Sequence, residues 1–212
     1  MANLPELNVS VFSDYICPFC YVGHHRLMRL RDEYDLRINW CFVEIHPETS
    51  AEGEPVATLS YPSEQWSQLM KNLDAVAREE GIAMAEHTFT TNSRDALLLS
   101  EAAKKEGRDR FYALHENLFA AFFVDSRNIG DRDVLREVAA ECGIDSAVVE
   151  SAWQDSQYEQ RILSSYHQAR HHEIQAVPSF IFGERKLTGV VTEDVMRSAA
   201  KELLGAQTKE NP

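Results

Sequence analysis

Two cysteines separated by two residues constrain this chain more than any other feature of its sequence. Residues 9–12 predict a short apolar strand, residues 13–15 predict a turn, and Cys17-Pro18-Phe19-Cys20 then stands at the start of a predicted helix. Proline suits the first helical turn, because its fixed φ matches a helix and its missing N–H is not needed there. The predicted order is therefore strand, turn, cysteine pair and helix.

This placement favours redox chemistry at the cysteine pair. A thiol at the beginning of a helix lies near unpaired backbone N–H groups and the positive end of the helix dipole, and both favour a thiolate. Cys17 is therefore the predicted nucleophile. Cys20 lies one turn further in, where it can attack a mixed disulfide on Cys17 and release the substrate, so it is the predicted resolving thiol.

A structural zinc site is the alternative interpretation of this cysteine pair. The other two cysteines, Cys41 and Cys142, stand singly, and no pair of histidines follows at zinc-finger spacing, although His24 could be a third ligand. The strand-to-helix context favours the redox interpretation, and we expect no bound metal. Cys41, inside a predicted strand, and Cys142, near a helix end, are predicted to be packed thiols.

Four histidines occur as adjacent pairs. His24 and His25 follow the cysteine pair on its own predicted helix, where one of them could influence the thiolates or a substrate, although solvated helix positions are more typical. His171 and His172 stand at the end of a predicted helix, where a cation suits the negative end of the helix dipole. We expect the second pair to have a stabilising role.

The charge and the termini of the sequence limit the partners and the compartment. The net charge of −13 argues against nucleic acid and anionic membrane surfaces as partners. The first seven residues lack the basic start and apolar run of a signal peptide, and there is no apolar run of about eighteen residues that could span a membrane. We expect a cytoplasmic protein, whose cysteine pair is then more typically catalytic than a structural disulfide.

The rest of the sequence predicts a sheet with a long helical segment between its parts. Residues 36–45 read as a second strand with Leu36, Ile38, Trp40 and Phe42 on one face, which gives a parallel strand–helix–strand unit. No strand or helix pattern holds over 48–62. Helical patterns then follow at 63–81, from about 92 to Gly107, and at 111–123, 132–142 and 146–153. The predicted domains are 1–62 with 163–212, and an inserted all-helical subdomain over 63–162.

The last informative stretch begins at Ala176-Val177-Pro178. Pro178 opens an apolar strand, which is where a residue without an N–H is tolerated. Gly183-Glu184 predicts a turn into a second short strand, and a helix is predicted over 193–204. This part of the chain therefore predicts a hairpin followed by a helix.

Together these motifs resemble the thioredoxin-like fold, and the helical segment resembles that of DsbA-type members. The chain is most similar to the FrnE-like cytoplasmic branch of the DsbA family, whose members begin with a strand, Ser-Asp, Cys-Pro-aromatic-Cys and a glycine-containing helix, as residues 13–23 do here. The resemblance extends to His46-Pro47, Asn92, residues 118–123 and Ala176-Val177-Pro178. The fold class it implies is α/β, a thioredoxin-like fold with a large inserted helical subdomain.

The resemblance also implies roles for residues near the cysteines. Pro178 would be a cis-proline facing the Cys17–Cys20 disulfide, and Val177 would offer backbone groups to an extended substrate. We expect Pro18, Phe19, Val177 and Pro178 to form the substrate-binding surface. No nucleotide-binding or flavin motif is present, so the expected cofactor is none beyond the disulfide itself, with glutathione as a possible co-substrate.

Three functions follow from these observations. The first is a thiol–disulfide oxidoreductase or isomerase acting on a disulfide- or thiol-containing protein or small molecule. The second is a glutathione-dependent isomerase or kappa-type glutathione transferase of the same superfamily, which generally carries serine at the nucleophile position. The third is a non-catalytic protein-binding module. The presence of both sulfurs, Cys17 and Cys20, favours the first, and the sequence leaves a monomer or a homodimer open.

Overall fold

Six strands form two sheets in the structure, a computed structural model that describes residues 4–59, 61–86 and 88–210. The strands are β1 (Glu6–Ser13), β2 (Asp35–Phe42), β3 (Glu54–Pro55), β4 (Phe89–Thr90), β5 (Ser179–Phe182) and β6 (Arg185–Thr188). The main sheet has the order β2-β1-β5-β6, and β3 and β4 form a separate two-stranded sheet.

Eight α-helices connect and cover these strands in the described part of the chain. They are α1 (Pro18–Arg29), α2 (Ser63–Glu80), α3 (Arg94–Ala103), α4 (Arg108–Phe123), α5 (Arg132–Glu141), α6 (Ser146–Gln154), α7 (Ser156–His171) and α8 (Glu193–Glu210). Helices α2 to α6 follow one another with the short strand β4 and a 3₁₀ turn as the only other regular elements between them in the described part of the chain, as the helical patterns predict.

The main sheet is mixed, which confirms the predicted α/β class. Strand β1 pairs with β2 in parallel, from Glu6 opposite Asp35 to Ser13 opposite Phe42, so β1, α1 and β2 form the expected strand–helix–strand unit. Strand β5 is antiparallel to β1, and β6 is antiparallel to β5. This arrangement brings the start of β5 beside the end of β1, where the cysteine pair follows.

The side chains of the sheet divide between two apolar clusters. On one side, Phe12, Cys41, Val43 and Ile181 pack against side chains of α7 and the residues after it. On the other side, a larger cluster includes alternate residues of β1 together with apolar residues of α1, α3, α4 and α8. Leu36, Trp40 and Phe42 belong to this larger cluster and Ile38 packs against it, so the predicted face of β2 is confirmed.

Several predicted element ends are confirmed. Helix α2 ends at Gly81, which adopts the left-handed conformation with φ 67°. The carboxylates of Asp131 and Asp145 cap α5 and α6, because they accept hydrogen bonds from the amides of Asp133 and Ala147. Local side-chain chemistry is sufficient to fix such ends, which explains why the sequence predicts them.

Other predicted bounds were wrong. Helix α3 does not continue to Gly107: it ends at Ala103, a 3₁₀ turn covers Lys104–Glu106, and Gly107 instead precedes α4. The connection over 48–62 is not free of regular structure, since it contains β3 and a 3₁₀ turn at Val56–Thr58. Helix α8 extends to Glu210, beyond the predicted end.

The expected division into 1–62 with 163–212 and an insertion over 63–162 stays a prediction. Helix α7 runs without a break from Ser156 to His171 and therefore crosses the expected boundary. No helix among the described residues is both long and apolar enough to cross a membrane.

Candidate active site

The two cysteines lie where β1 passes into α1. Cys17 is the residue that precedes the helix, with extended φ and ψ of −90° and 111°, and Pro18 is the first helical residue. The amide of Cys17 donates to the carbonyl oxygen of Asp14 at 3.2 Å, and the amide of Cys20 donates to the carbonyl oxygen of Cys17 at 2.9 Å. Both thiols are free, and both residues are at least 95% buried, with exposed fractions of 5% and 2%.

The segment before β5 faces Cys17. The Sγ atom of Cys17 lies 3.7 Å from the carbonyl oxygen of Val177, and the thiol donates a hydrogen bond to that oxygen. The peptide bond between Val177 and Pro178 is cis, as the resemblance implied. Helix α1 approaches this segment closely at Gly23, because a Cβ added there would lie 3.1 Å from Cγ of Pro178 and 3.0 Å from Cζ of Phe180.

Asp14 holds the turn between β1 and α1 in place from a fully buried position. Its carboxylate accepts a hydrogen bond from the amide of Ile45 at 2.8 Å and a longer one, at 3.5 Å, from the amide of Ile16. Burial raises the pKa of Asp14 from 3.8 to about 6, against the hydrogen bonds from Ile45, Ser93 and Ile16, which lower it. Asp14 belongs to the Ser-Asp motif before the cysteine pair, but the motif by itself did not predict this role.

Tyr15 anchors the same turn to the helices. Its phenol oxygen lies 2.6 Å from Nδ1 of His115 on α4 and 2.8 Å from the hydroxyl of Ser100 on α3. Its ring also packs edge-on against Phe119, with 4.9 Å between centroids. The cysteine-bearing turn is thus joined directly to the helical segment.

The other thiols differ from Cys17 in their surroundings. Burial, and next the adjacent Cys17 thiol, raise the pKa of Cys20 well above its ordinary value. Burial also raises the pKa of Cys41 to about 11, and this thiol donates to the side-chain oxygen of Gln168. Cys41 is therefore the packed thiol that was predicted, whereas Cys142 is only partly buried.

The prediction that His24 occupies a solvated helix position was wrong. Its exposed fraction is 3%, and its ring lies 4.8 Å from that of His115 and 5.9 Å from that of Trp40, measured between centroids. Burial lowers its pKa to about 3. His25 is half-buried against Tyr21. The sequence carries no local signal of the burial of His24, because its apolar partners come from β2 and α4.

A cavity of about 280 Å³ opens beside Cys17. Three of the four predicted substrate-binding residues, Pro18, Phe19 and Val177, line it, and Pro178 follows directly in the chain. Its other walls come from the residues after β2, from Thr90 and Ala176, from the segment before α2 and from α2 itself. Residues there that sequence analysis did not assign to the site are Tyr61, Trp66, Leu69 and Met70.

The apolar stripe of α2 is therefore only partly core. Leu73 and Ala77 are buried, as expected, but Trp66, Leu69 and Met70 are half-buried at the cavity wall. An aromatic residue, Tyr61, in the connection just before the helix is a signal in the sequence that this end of the stripe faces something other than the core. Within the described residues, no three histidine, cysteine or acidic side chains converge in a way that could hold a metal ion.

Because the cysteine pair at the start of α1 faces a cis-proline segment across the end of a mixed sheet, the fold is that of a thioredoxin-like protein. The chain belongs to the DSBA-like thioredoxin domain family, whose sequence model matches residues 8–201. Membership of this family supports a general thiol–disulfide oxidoreductase function for the chain.

Individual relatives are similar over nearly their whole lengths. The uncharacterized protein YwbO of Bacillus subtilis is 29% identical over 205 residues, which are 92% of this chain and 96% of YwbO. A probable DsbA oxidoreductase from Streptomyces coelicolor has a TM-score of 0.83 at 24% identity, over 94% of this chain and 91% of that chain. The cytosolic disulfide reductase DsbM from Pseudomonas aeruginosa has a TM-score of 0.67 at 16% identity, over 96% of this chain and 98% of that chain. The structural likenesses show the fold.

Proposed function

We propose that this protein is a dithiol–disulfide oxidoreductase in which Cys17 is the nucleophile and Cys20 the resolving thiol. The observation that carries the proposal is the position of the two sulfurs. Cys17 precedes α1 at the wall of an open cavity, while Cys20 lies behind it in the first helical turn. Substrate can therefore reach Cys17, and only a disulfide already formed on Cys17 comes within reach of Cys20.

The start of α1 offers a donor for negative charge on Cys17. Proline at the first helical position has no N–H, and the amide of Cys20 is already bonded to the carbonyl of Cys17. The amide of Phe19 makes no hydrogen bond within the described residues, so it is one of the free donors that a helix N-terminus provides. Together with the helix dipole, this amide favours the thiolate that attacks a disulfide.

The reaction consists of two exchanges. The Cys17 thiolate attacks one sulfur of the substrate disulfide, so that a Cys17–substrate disulfide forms and the other substrate sulfur leaves as a thiolate. Cys20 then attacks Cys17, its proton passes to the second departing substrate sulfur, and the Cys17–Cys20 disulfide forms. Two electrons move from the protein to the substrate, and a dithiol reductant must return them for a second turnover. In the opposite direction the same steps oxidise a substrate dithiol.

An extended substrate can pair with the segment before β5. The amide of Val177 makes no hydrogen bond within the described residues, and its carbonyl oxygen accepts only the Cys17 thiol. Both backbone groups are thus available to a peptide lying across Pro18, Phe19 and Pro178. We infer a FrnE-like, cytoplasmic enzyme with a protein or small thiol as substrate and no cofactor beyond the disulfide.

A redox titration tests this proposal. The protein is equilibrated in a series of glutathione buffers, free thiols are alkylated, and modified cysteines are counted by mass spectrometry. We expect the thiols of Cys17 and Cys20 to disappear together in one transition. Cys142→Ser, outside the site, should leave that transition unchanged, and Cys17→Ser should remove it.

The competing functions predict other results. If the two thiols never pair, the dithiol mechanism is wrong, and a stable glutathione adduct or noncovalent complex would indicate a glutathione-dependent isomerase or transferase. A non-catalytic binding module predicts that Cys17→Ser leaves the biological function intact.

A further inference from the structure

The cavity beside Cys17 is built mainly from apolar and aromatic side chains. Its walls include the start of α1, the 3₁₀ turn after β3 and the first half of α2, together with residues after β2, Thr90 and the segment before β5. The side chains that form the wall opposite Cys17 are Val56, Leu59, Tyr61, Trp66, Leu69 and Met70. A volume of about 280 Å³ accommodates one large side chain.

An aromatic pair stands at the mouth of this cavity. The rings of Tyr61 and Trp66 stack with 5.5 Å between centroids and an angle of 27°. The phenol oxygen of Tyr61 lies 3.3 Å from Nε2 of His46, which also lines the cavity. Tyr61 is 45% exposed, so this pair presents ring surface to solvent beside a reactive sulfur. Burial, and next the charge of Cys17, raise the pKa of Tyr61, which agrees with its position near the thiol.

The charge around the cavity is negative or neutral. Among the described lining residues there is no lysine or arginine. A recess that shares His46, Leu59 and Tyr61 with the cavity also carries Glu48 and Glu54. The carboxylate of Glu48 lies 3.4 Å from Nδ1 of His46, and neither carboxylate pairs with a described lysine or arginine. Most arginines elsewhere on the protein are ion-paired. The described lining thus offers no lysine or arginine to balance the two carboxylates of glutathione, whereas the two carboxylates of the recess favour a cationic group.

We propose that the substrate is a peptide disulfide whose cysteine is followed by an aromatic or long aliphatic side chain that fills this cavity, with a basic side chain further along near Glu48 and Glu54. The proposal rests on the oxidoreductase function proposed above and narrows its substrate. A peptide is favoured over a small molecule because the amide of Val177, at one wall of the same cavity, makes no hydrogen bond to any described residue. Oxidised glutathione is then a poor substrate.

Single-turnover kinetics with matched peptides test this inference. Fully reduced protein is mixed with symmetric disulfides of blocked pentapeptides, which carry phenylalanine or alanine beside the cysteine and lysine or glutamate near the other end. Each turnover consumes one protein dithiol, so no added reductant is needed. Second-order rates are compared with those for oxidised glutathione and for uncharged 2-hydroxyethyl disulfide.

We expect the phenylalanine peptide to react about tenfold faster than the alanine peptide, as for one apolar group in a binding pocket. Lysine should be preferred over glutamate by about threefold at low ionic strength, and high salt should remove that preference. Oxidised glutathione should be the slowest substrate.

Variants identify the residues responsible for the aromatic preference and for the lysine preference. Trp66→Ala should reduce the phenylalanine-to-alanine ratio to about one, and Trp66→Phe should restore most of it. Trp153→Ala, a matched tryptophan on α6 far along the chain, should leave the ratio unchanged. The double change Glu48→Gln and Glu54→Gln should remove the lysine preference, whereas Glu52→Gln in the same segment should keep it.

The possible outcomes distinguish an error in the inferred substrate from an error in the proposed oxidoreductase function. If neither the peptides nor 2-hydroxyethyl disulfide oxidise Cys17 and Cys20, the oxidoreductase function itself is wrong. If every disulfide reacts at one rate, or if oxidised glutathione reacts fastest, the function stands and the inferred substrate is wrong. If a small aromatic disulfide reacts as fast as the phenylalanine peptide, the cavity is assigned correctly but the peptide is not.

Discussion

The phenol oxygen of Tyr15 lies 2.6 Å from Nδ1 of His115, and these two residues are 100 positions apart in the sequence. Tyr15 is two residues before Cys17, and His115 is in the middle of α4. Both are fully buried. The turn that carries Cys17 is therefore held from the helical segment by a direct hydrogen bond, and not only by the sheet from which it emerges.

Tyr15→Phe tests the strength of this connection. The ring keeps its packing against Phe119, but Nδ1 of His115 and the hydroxyl of Ser100 lose their buried partner. We expect the free energy of unfolding to fall by roughly 2 kcal/mol, because leaving buried polar groups unpaired costs about 1–3 kcal/mol. Urea unfolding measures this. Tyr112→Phe removes a hydroxyl without a described partner and should change stability by less than about 0.5 kcal/mol; equal losses would show that the hydrogen bonds do not matter.

Asp14→Asn should change how stability depends on pH. Because the folded-state pKa of Asp14 is raised from 3.8 to about 6, the folded protein binds a proton that the unfolded chain has already lost between these values. Its contribution to stability is therefore full below about pH 4 and is lost as pH rises through 6.

The Asp14→Asn variant has no carboxyl group at this position and so does not lose stability in this way as pH rises. Relative to the natural protein it should gain roughly 2–3 kcal/mol of unfolding free energy between pH 4 and pH 7, with no further gain above that. Urea unfolding at a series of pH values measures the difference. A difference that stays constant across this range would show that Asp14 ionises at its ordinary pKa.

His24 should produce the opposite dependence. Its pKa is lowered from 6.5 to about 3, first by burial and then by His25 and Arg31, with Glu116 as the only acid within 4 Å among the described residues. Between these pH values the unfolded chain binds a proton that the folded protein excludes. The free energy of unfolding therefore falls as pH falls from about 6.5 towards 3, because only the unfolded chain binds this proton.

His24→Phe and His24→Gln both remove this titration. Although the two differ in packing, each should gain on the natural protein by roughly 3 kcal/mol as pH falls from 7 to 4. Chemical unfolding of all three proteins at each pH measures the gain. If only one variant shows it, a packing change and not the histidine proton is responsible.

Gly23 should tolerate little enlargement. A Cβ at this position meets Pro178 and Phe180 at 3.1 and 3.0 Å, so α1 must move away from the segment that faces Cys17. For Gly23→Ala the helix gains about 1 kcal/mol in propensity against an overpacking cost of about 1–3 kcal/mol, and we expect a small net loss.

Gly23→Val adds two further methyl groups and should cost roughly 3 kcal/mol or more. The rate of single-turnover disulfide exchange should also fall, because the distance from Cys17 to Val177 changes. Gly205→Ala, on α8, is the matched helical control, since an added Cβ there meets no atom of the described residues within 4 Å. It should be neutral or stabilising, and a Gly23→Val protein as stable as this control would contradict the packing argument.

Much of the fold could be predicted because its signals are local. The β1–α1 unit, the caps at Asp131 and Asp145, and the end of α2 at Gly81 each depend on residues within one or two turns of the chain. The predicted bounds that were wrong depend on packing between distant residues. The helix expected to reach Gly107 ends at Ala103, where the chain turns to pack α3 against α4, and neither residue by itself marks that turn.

The sequence alone determined the class of fold and the place of the cysteine pair in it. A cysteine pair placed by an apolar strand at a helix start specifies its reactive geometry through the backbone of one turn, and β-period and helix-period patterns specify the order of elements. Tertiary structure alone decided what surrounds the sulfur: the burial of His24, the bond from Tyr15 to His115, and the cavity wall at Tyr61 and Trp66. These depend on contacts between residues tens of positions apart, and such contacts leave no local period in the sequence.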